Sequence, residues 1–376
     1  MNADTGNKRD FRGVPSNGGR RCVLRAGIAA GALAVVPGYV RAQSPTTLDV
    51  LMTNRLVFGE LREVVEREAN IKVNDAPFQS VADTLSRILA PGGTSRYSMI
   101  VTQTGVARKP LLGENAGAEK VSPLDLSKIP NAASVAEIFK EYAISRDGKM
   151  YAIPVTAGYD SVVYNASVVP EKDEYTQSWG MLFEDKYAGR IAWFDSALHM
   201  ILIAGLYLGK PRPELISAAE LSDITKFLIS KKKNVRTLYT SFAQGANQIA
   251  SGEVVCTYGP IPLRSALQQQ GVNVKNSWCK EGVLSFVSGA AIPKDSPNQD
   301  RVHAFINSML GAAYASRLTR ISGYLSTSTN AAKNLSAAEA RQAGYGILDG
   351  SVKHYPNSLP PNLNTWIEAW SRVKSA

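Results

Sequence analysis

Short apolar runs alternate with amphipathic segments along most of this chain. Residues 47–52 are mostly apolar and have the length of a strand, which we predict there. The segment 61–69 repeats apolar side chains at spacings of three and four, which predicts a helix with one buried face. Two more short strands are predicted at 71–73 and 97–101. This alternation favours an α/β fold in which helices cover both faces of a mostly parallel sheet.

The second half of the chain continues this alternation. A strand is predicted at 190–193, and the run 197–208 is apolar on nearly all sides, which predicts a buried core helix. Further strands are predicted at 254–258 and 283–286, and an amphipathic helix at 302–309.

The N-terminal residues have the pattern of an export signal. Arg20 and Arg21 precede the uncharged segment 26–36, and Ala42 offers a small residue for cleavage. We therefore predict that residues 1–42 are a cleaved signal, that the paired arginines specify the twin-arginine route, and that the remaining chain is periplasmic. A short membrane anchor is the alternative, but the apolar run is well below the roughly 20 residues that span a bilayer.

Charge and length narrow the class of protein. The net charge is +10 over 376 residues, but residues 1–42 hold seven basic and two acidic residues, which leaves +5 for the other 334. Such a length allows one large domain or two ordinary ones. The one lysine run, Lys231 to Lys233, ends a predicted helix without interleaved aromatic residues, so we expect no nucleic acid as a partner.

Two cysteines lie beyond the predicted signal, Cys256 and Cys279. An oxidising compartment favours a disulfide between them. Free thiols are the equal alternative, because a bridge requires a close approach of the two Cα atoms that spacing does not establish. Neither cysteine has a second cysteine or a histidine close by in sequence, so we expect no metal site.

The motifs of the common enzyme classes are missing. There is no G-x-S-x-G nucleophile elbow, no phosphate-binding loop, no dinucleotide fingerprint and no H-E-x-x-H. Ser196 and His199, three residues apart on one predicted helix, are the pair in which a nucleophile and a base would meet. Because no third group is evident to orient the histidine, we expect no enzyme and no cofactor, and an exported hydrolase is the alternative of a different class.

A series of short motifs runs through residues 151–324 in a characteristic order. They are Y-A-I-P at 151–154, V-V-Y-N at 162–165, S-W-G-M-L-F at 178–183, K-Y-A-G-R at 186–190, K-E-G at 280–282, A-I-P-K at 291–294, A-F-I-N at 304–307 and G-Y at 323–324. In order and spacing this series resembles the spermidine/putrescine-binding proteins of bacterial ABC importers.

The resemblance implies a type II periplasmic binding protein of two lobes, each a mixed sheet flanked by helices, with the ligand in the cleft between them. Lobe one would comprise 43–153 plus 287–330, and lobe two 154–286 plus 331–376. A small solute would close the lobes, and the closed protein, a monomer, would present it to an inner-membrane permease.

The chain departs from that family where the amine groups are held. The resemblance places Phe286 and Ser288 at positions of a tryptophan and an aspartate, and Ser196 and His199 at two further acidic positions. Losing several carboxylates lowers polyamine affinity, at roughly 1.5–3 kcal/mol for each charged hydrogen bond. We therefore expect a pocket altered from that of a simple polyamine binder.

The chain retains some of the aromatic residues that the family has near the expected cleft. Thr53 replaces an aromatic residue after the first strand, whereas Tyr258 retains a ring. Two acids, Asp160 and Asp195, lie next to expected cleft positions as substitutes, with a surface loop and a helix cap as their alternative roles. A genuine spermidine or putrescine binder would use Asp160, Asp195 and Tyr258.

The alternative to a cationic amine is a solute that is neutral or anionic. Arg55, after the first strand, and Arg264, after the Gly-Pro pair at 259–260, would then hold a carboxylate or a phosphonate. Thr102 and Thr104, after the third strand, would supply hydroxyl groups in either case.

Overall fold

Thirteen strands in the described part of the chain hydrogen-bond into one mixed sheet. The computed structural model describes residues 44–52, 56–76, 81–170, 172–347 and 350–376. The predicted export signal at 1–42, Thr53 and Arg55 therefore lie outside the described residues. The strands are β1 (Thr46–Met52), β2 (Ile71–Ala76), β3 (Met99–Gln103), β4 (Val121–Ser122), β5 (Ile144–Arg146), β6 (Lys149–Asn165), β7 (Ile191–Phe194), β8 (Val235–Tyr239), β9 (Cys256–Pro260), β10 (Val274–Asn276), β11 (Val283–Pro293), β12 (Leu325–Ser326) and β13 (His354–Pro356).

Helices cover this sheet, and short 3-10 turns join many of the elements. The α-helices are α1 (Gly59–Ala69), α2 (Val81–Leu89), α3 (Gly93–Arg96), α4 (Thr104–Leu112), α5 (Glu137–Lys140), α6 (Ala197–Tyr207), α7 (Ala218–Lys231), α8 (Phe242–Ala250), α9 (Ile261–Gln269), α10 (Gln299–Met309), α11 (Ala312–Ser322), α12 (Ala337–Ala343) and α13 (Leu363–Ser375). The predicted elements at 61–69, 197–208 and 302–309 are confirmed as α1, α6 and α10. Within the described residues, no helix combines the length and the apolar character that spanning a membrane requires.

The sheet consists of two parallel groups joined by two long antiparallel strands. Its main order is β2-β1-β3-β11-β6-β9-β7-β8. β1 runs parallel to β2 and β3, and β7 runs parallel to β8 and β9. β11 pairs antiparallel with both β3 and β6, and β6 pairs antiparallel with β9. The mixed sheet flanked by helices that the resemblance implied is thus confirmed. The mostly parallel sheet expected from the alternation of elements is wrong, because most strand pairs in the described residues are antiparallel.

The apolar side chains form two large cores, and β6 and β11 contribute to both. The first core takes in α1, α10 and α11, and the second takes in α6, α7 and α13. Along β6, Tyr159 belongs to the first core and Val162 to the second; along β11, Leu284 belongs to the second and Phe286 to the first. Asp160 therefore lies where β6 passes from one core to the other, while the lobe boundaries at 153/154 and 286/287 stay predictions.

The disulfide considered for Cys256 and Cys279 is not formed, since both thiols are free and buried. Cys256 lies on β9, opposite Tyr164 of β6, and Cys279 follows β10, which pairs along the other edge of β6. Two strand spacings, about 10 Å, separate β9 from β10, and a disulfide needs Cα atoms within about 7 Å. The intervening strand therefore keeps the two thiols apart.

Candidate ligand-binding site

A buried carboxylate marks the middle of the sheet. Asp160 is 5% exposed, and its neighbours in register are Leu284 of β11 and Pro260 of β9. The hydroxyl of Tyr258, two residues before Pro260 and on the same face, donates a hydrogen bond of 2.5 Å to Asp160 Oδ2. No basic side chain among the described residues forms an ion pair with Asp160.

Burial raises the pKa of Asp160 to about 7, while the hydrogen bond from Tyr258 acts in the opposite direction. The carboxyl group is thus close to half ionised at neutral pH without a ligand. A buried carboxylate is costly unless a cation or donors compensate it, so this site favours the approach of a positive group.

Aromatic rings surround the Tyr258 side of this carboxylate. The ring of Tyr258 stacks on Phe194, with centroids 5.7 Å apart and an interplanar angle of 1°, and on Trp179 at 6.1 Å. Tyr239 lies 5.3 Å from Phe194, and its hydroxyl donates to the Tyr258 carbonyl. These contacts hold the Tyr258 ring in place, and π faces are favourable neighbours for an organic cation.

The predicted contact between Ser196 and His199 is formed, and it is extended by a residue that the sequence did not indicate. His199 Nδ1 lies 2.7 Å from Ser196 Oγ, and Asn357 Nδ2 donates to His199 Nε2 at 2.9 Å. Since Nε2 accepts, the ring proton is on Nδ1 and points to Ser196. Burial lowers the pKa of His199 to about 4, so the ring is neutral at neutral pH. Its centroid lies 5.2 Å from that of Tyr258.

Asp195 forms a hydrogen bond and an ion pair with other side chains of the protein. One carboxylate oxygen accepts from the indole nitrogen of Trp370 at 2.7 Å, and Lys374 forms an ion pair with the same oxygen at 3.0 Å. Both partners belong to α13, so Asp195 ties the C-terminal helix to the start of α6. It makes no cap bond, since Ser196 is the N-cap of α6 and no side chain caps that helix.

Phe286 lies against the same stretch of β6. It pairs with Gly158, and a Cβ atom at Gly158 would come within 2.5 Å of the Phe286 ring. Tyr324 meets Phe286 edge to face at 6.0 Å. Burial, with the nearby Asp160 as a smaller cause, raises the pKa of Tyr324. Tyr324 was part of a motif, but the sequence did not single it out as a site residue.

Three predicted hydroxyl residues lie on the neighbouring strands and at the start of α4. Thr102 and Ser288 are buried, and neither hydroxyl has a hydrogen-bond partner within the described residues. Thr104 Oγ1 donates to the carbonyl of Val287 at 3.3 Å. Asn357, whose backbone N–H donates to the Ser285 carbonyl of β11, has a buried Oδ1 that lacks a hydrogen-bond partner among the described residues.

The structure separates Arg264 from this group. Arg264 is buried on α9 beside the Tyr159 hydroxyl, where its charge opposes the rise that burial causes in the pKa of Tyr159. Tyr159 and Asp160 are consecutive in β6, and successive side chains of a strand point to opposite faces. Arg264 is therefore on the other face of β6 from Asp160 and Tyr258.

No group of three or more metal-ligating side chains occurs in the described ranges. What the site offers is one carboxylate, several aromatic faces, a neutral imidazole and neutral hydrogen-bonding groups.

The comparisons with known proteins agree with the sequence motifs. The family model described as "Bacterial extracellular solute-binding protein" matches residues 63–343. Among curated proteins, the putrescine-binding periplasmic protein PotF of Escherichia coli (strain K12) is 24% identical over 93% of this chain and 97% of its own length. The spermidine/putrescine-binding periplasmic protein of the same organism is 26% identical over 82% of this chain and 85% of its own length.

A solved structure extends the likeness to the fold. The spermidine/putrescine ABC transporter substrate-binding protein PotD of Streptococcus pneumoniae superposes with a TM-score of 0.74. That likeness covers 88% of this chain and 99% of the solved one at 20% identity. The predicted two-lobed α/β fold is thereby confirmed.

Proposed function

The chain belongs to the bacterial extracellular solute-binding protein family, whose members bind a small solute for an ABC importer and its inner-membrane permease, and we propose that its own solute is a small amine held at Asp160. Like its relatives, it is a binding protein and not an enzyme. The relatives named as putrescine- and spermidine/putrescine-binding proteins support an amine as the solute class.

One observation carries this proposal: Asp160 is buried at the junction of the two cores with Tyr258 as its hydrogen-bond donor and no cationic partner in the described residues. An ammonium group would compensate this charge. An anionic solute would instead meet like charge at Asp160.

Closure of the lobes is the proposed mechanism. β6 and β11 run through both cores, so they are the segments about which the lobes would hinge. An amine that contacts Asp160 together with groups from both cores binds the closed form more tightly than the open one. Its binding energy therefore shifts the population to the closed form that the permease recognises.

The Ser196 and His199 pair supports binding rather than hydrolysis. A general base works best with a pKa near the operating pH, and burial lowers the pKa of His199 to about 4. We infer that the pair and Asn357 shape the wall of the cleft. We also propose that residues 1–42 are an export signal and that this signal uses the twin-arginine route.

The test is a binding experiment on the exported protein, stripped of carried-over ligand by unfolding and refolding. Isothermal titration with putrescine, spermidine, short monoamines and dicarboxylates should give binding for amines alone. Asp160→Asn should abolish that binding while leaving the circular dichroism spectrum unchanged. Binding of dicarboxylates in place of amines would overturn the proposal.

A further inference from the structure

The charges around the cleft limit how many ammonium groups the solute carries. Among the described residues two acids are buried, Asp160 and Asp173. Asp173 forms an ion pair with Lys186 at 2.7 Å and accepts from the Tyr187 hydroxyl. Among the acids that the structure describes, Asp160 alone is buried without a cationic partner.

The other acid expected near the cleft is already neutralised. Asp195 pairs with Lys374 and accepts from Trp370. A second ammonium group would have to displace Lys374 from α13 to gain a carboxylate there. His199 adds no charge of either sign, because its ring is neutral.

Neutral polar groups make up the rest of the binding capacity. The Ser288 hydroxyl and Oδ1 of Asn357 are buried, and neither has a hydrogen-bond partner in the described ranges. The Thr102 hydroxyl is also buried without a partner there, but Ser288 pairs with Gln103, so Thr102 is on the opposite face of the sheet. Buried polar groups in folded proteins are nearly always hydrogen-bonded. The Ser288 hydroxyl, on the face of the sheet that carries Asp160, and Oδ1 of Asn357, whose amide nitrogen bonds His199, therefore indicate contacts that a ligand completes. Hydroxyl and amide groups bind neutral donors and acceptors, and they do not replace a carboxylate beside a desolvated ammonium.

We infer that the solute carries a single ammonium group, which Asp160 neutralises, and a neutral remainder bearing hydroxyl or amide groups, which Ser288 and Asn357 bind. The inference rests on the proposed function, since it specifies the amine at the same site. An amino alcohol or an amino amide has this chemistry. A diamine of equal length carries a second ammonium group, for which this site provides no carboxylate.

A matched series of probes tests the charge count. Putrescine, 4-amino-1-butanol, 4-aminobutanoate and 1,4-butanediol share a four-carbon chain and differ in their end groups, and homologues of three to six carbons cover differences in length. By titration calorimetry at pH 8, the amino alcohols should bind about ten-fold or more tighter than diamines of the same length, which corresponds to one unfavourable buried charge. The diols should not bind.

Two results would overturn the inference and leave the proposed function standing: diamines that bind as tightly as the amino alcohols, or amino acids that bind most tightly of all. Failure of every amine in the series would instead overturn the proposed function itself. The two failures are therefore distinguishable.

A variant pair tests the same inference in the opposite direction. Ser288→Asp adds a carboxylate to the neutral part of the cleft, and Ser288→Asn is its uncharged control of similar size. The ratio of diamine to amino alcohol affinity should rise about ten-fold in the Asp variant and not in the Asn variant. An unchanged ratio in a folded Asp variant would contradict the inference, and the probe series on the unmodified protein decides it if that variant does not fold.

Discussion

The Tyr258 hydroxyl donates a 2.5 Å hydrogen bond to Asp160, and this bond joins β9 to β6 where β6 passes from one core to the other. It also favours the ionised form of a carboxylate that burial would keep protonated. The carboxylate is thereby held in one orientation. The same tyrosine ring stacks on Phe194, so the position of the charge depends on the packing of the aromatic cluster.

Removing this hydrogen bond should weaken amine binding. We expect Tyr258→Phe to raise the pKa of Asp160 further and to lower the affinity for 4-amino-1-butanol at pH 7 by about ten-fold or more, since a charged hydrogen bond contributes roughly 1.5–3 kcal/mol. Titration calorimetry measures the change.

Tyr314→Phe is the matched control for this variant. Tyr314 is another fully buried tyrosine, whose hydroxyl donates to the Leu56 carbonyl at 2.7 Å within the first core. Its loss should lower the melting temperature without changing affinity. Equal affinity losses in both variants would show that the Tyr258 effect is one of general stability.

Amine binding should depend on pH through Asp160. Because the pKa of Asp160 is raised to about 7 and the amine stays protonated, lowering the pH below 7 removes the negative partner. We expect the affinity for 4-amino-1-butanol to be constant above about pH 8 and to fall by about 100-fold between pH 8 and pH 5, at ten-fold per unit below the pKa. Asp160→Asn should bind weakly at every pH, and an unmodified protein with a flat profile would contradict the role of Asp160.

The raised pKa of Asp160 also affects stability. In the unfolded chain this group ionises near its ordinary value of 3.8, so between pH 3.8 and 7 the folded state binds more protons than the unfolded state. The ligand-free protein therefore loses stability through this group as the pH rises across that window. Asp160→Asn removes the loss, so its advantage in free energy of unfolding should grow by about 2–3 kcal/mol between pH 5 and pH 8.

Urea denaturation at both pH values measures this advantage. Groups such as His199 titrate in both proteins, so their contributions cancel in the difference between variant and parent. A difference that stays constant with pH would mean that Asp160 keeps an ordinary pKa in the folded protein.

The close contact between Gly158 and Phe286 predicts a steric effect on the hinge strands. A Cβ atom at Gly158 would lie within 2.5 Å of the ring, so we expect Gly158→Ala to lower the free energy of unfolding by about 1–3 kcal/mol, the usual range for overpacking. Phe286→Leu in the same chain should recover part of the loss, because the smaller side chain makes room. Gly105→Ala is the control, since nothing lies within 4 Å of its Cβ position.

Local pattern predicted the elements well, and the resemblance predicted the fold. The helix at 197–208 was recognisable because a helix that is apolar on nearly all sides must be buried, and the contact between Ser196 and His199 followed from their spacing on it. The partners of these residues were not predictable. Asn357 and Trp370 come from the C-terminal segment, more than 150 residues away, and no periodicity carries information over that distance.

The same reason explains why the surroundings of two predicted site residues were not predictable. Asp195 is an acid next to expected cleft positions, but α13 brings Lys374 to it. Arg264 follows a strand end as an anion-binding arginine would, but alternation along β6 puts its neighbour Tyr159 and Asp160 on opposite faces. The sequence shows that these residues are charged and which residues adjoin them along the chain. It does not show which residues of distant segments contact them or which face of the sheet they lie on.

The free cysteines give a prediction that does not depend on any ligand. Cys256 and Cys279 are buried on either side of β6, and burial raises the pKa of the Cys279 thiol to about 12 and that of Cys256 as well. Thiols held in the neutral form and shielded from solvent react slowly with oxidants. We expect the exported protein, denatured without reductant and treated with iodoacetamide, to gain two carbamidomethyl groups by mass spectrometry. Its melting temperature should be the same with and without dithiothreitol, and a protein that gains no label until it is reduced would show that the two strands approach more closely than the sheet allows.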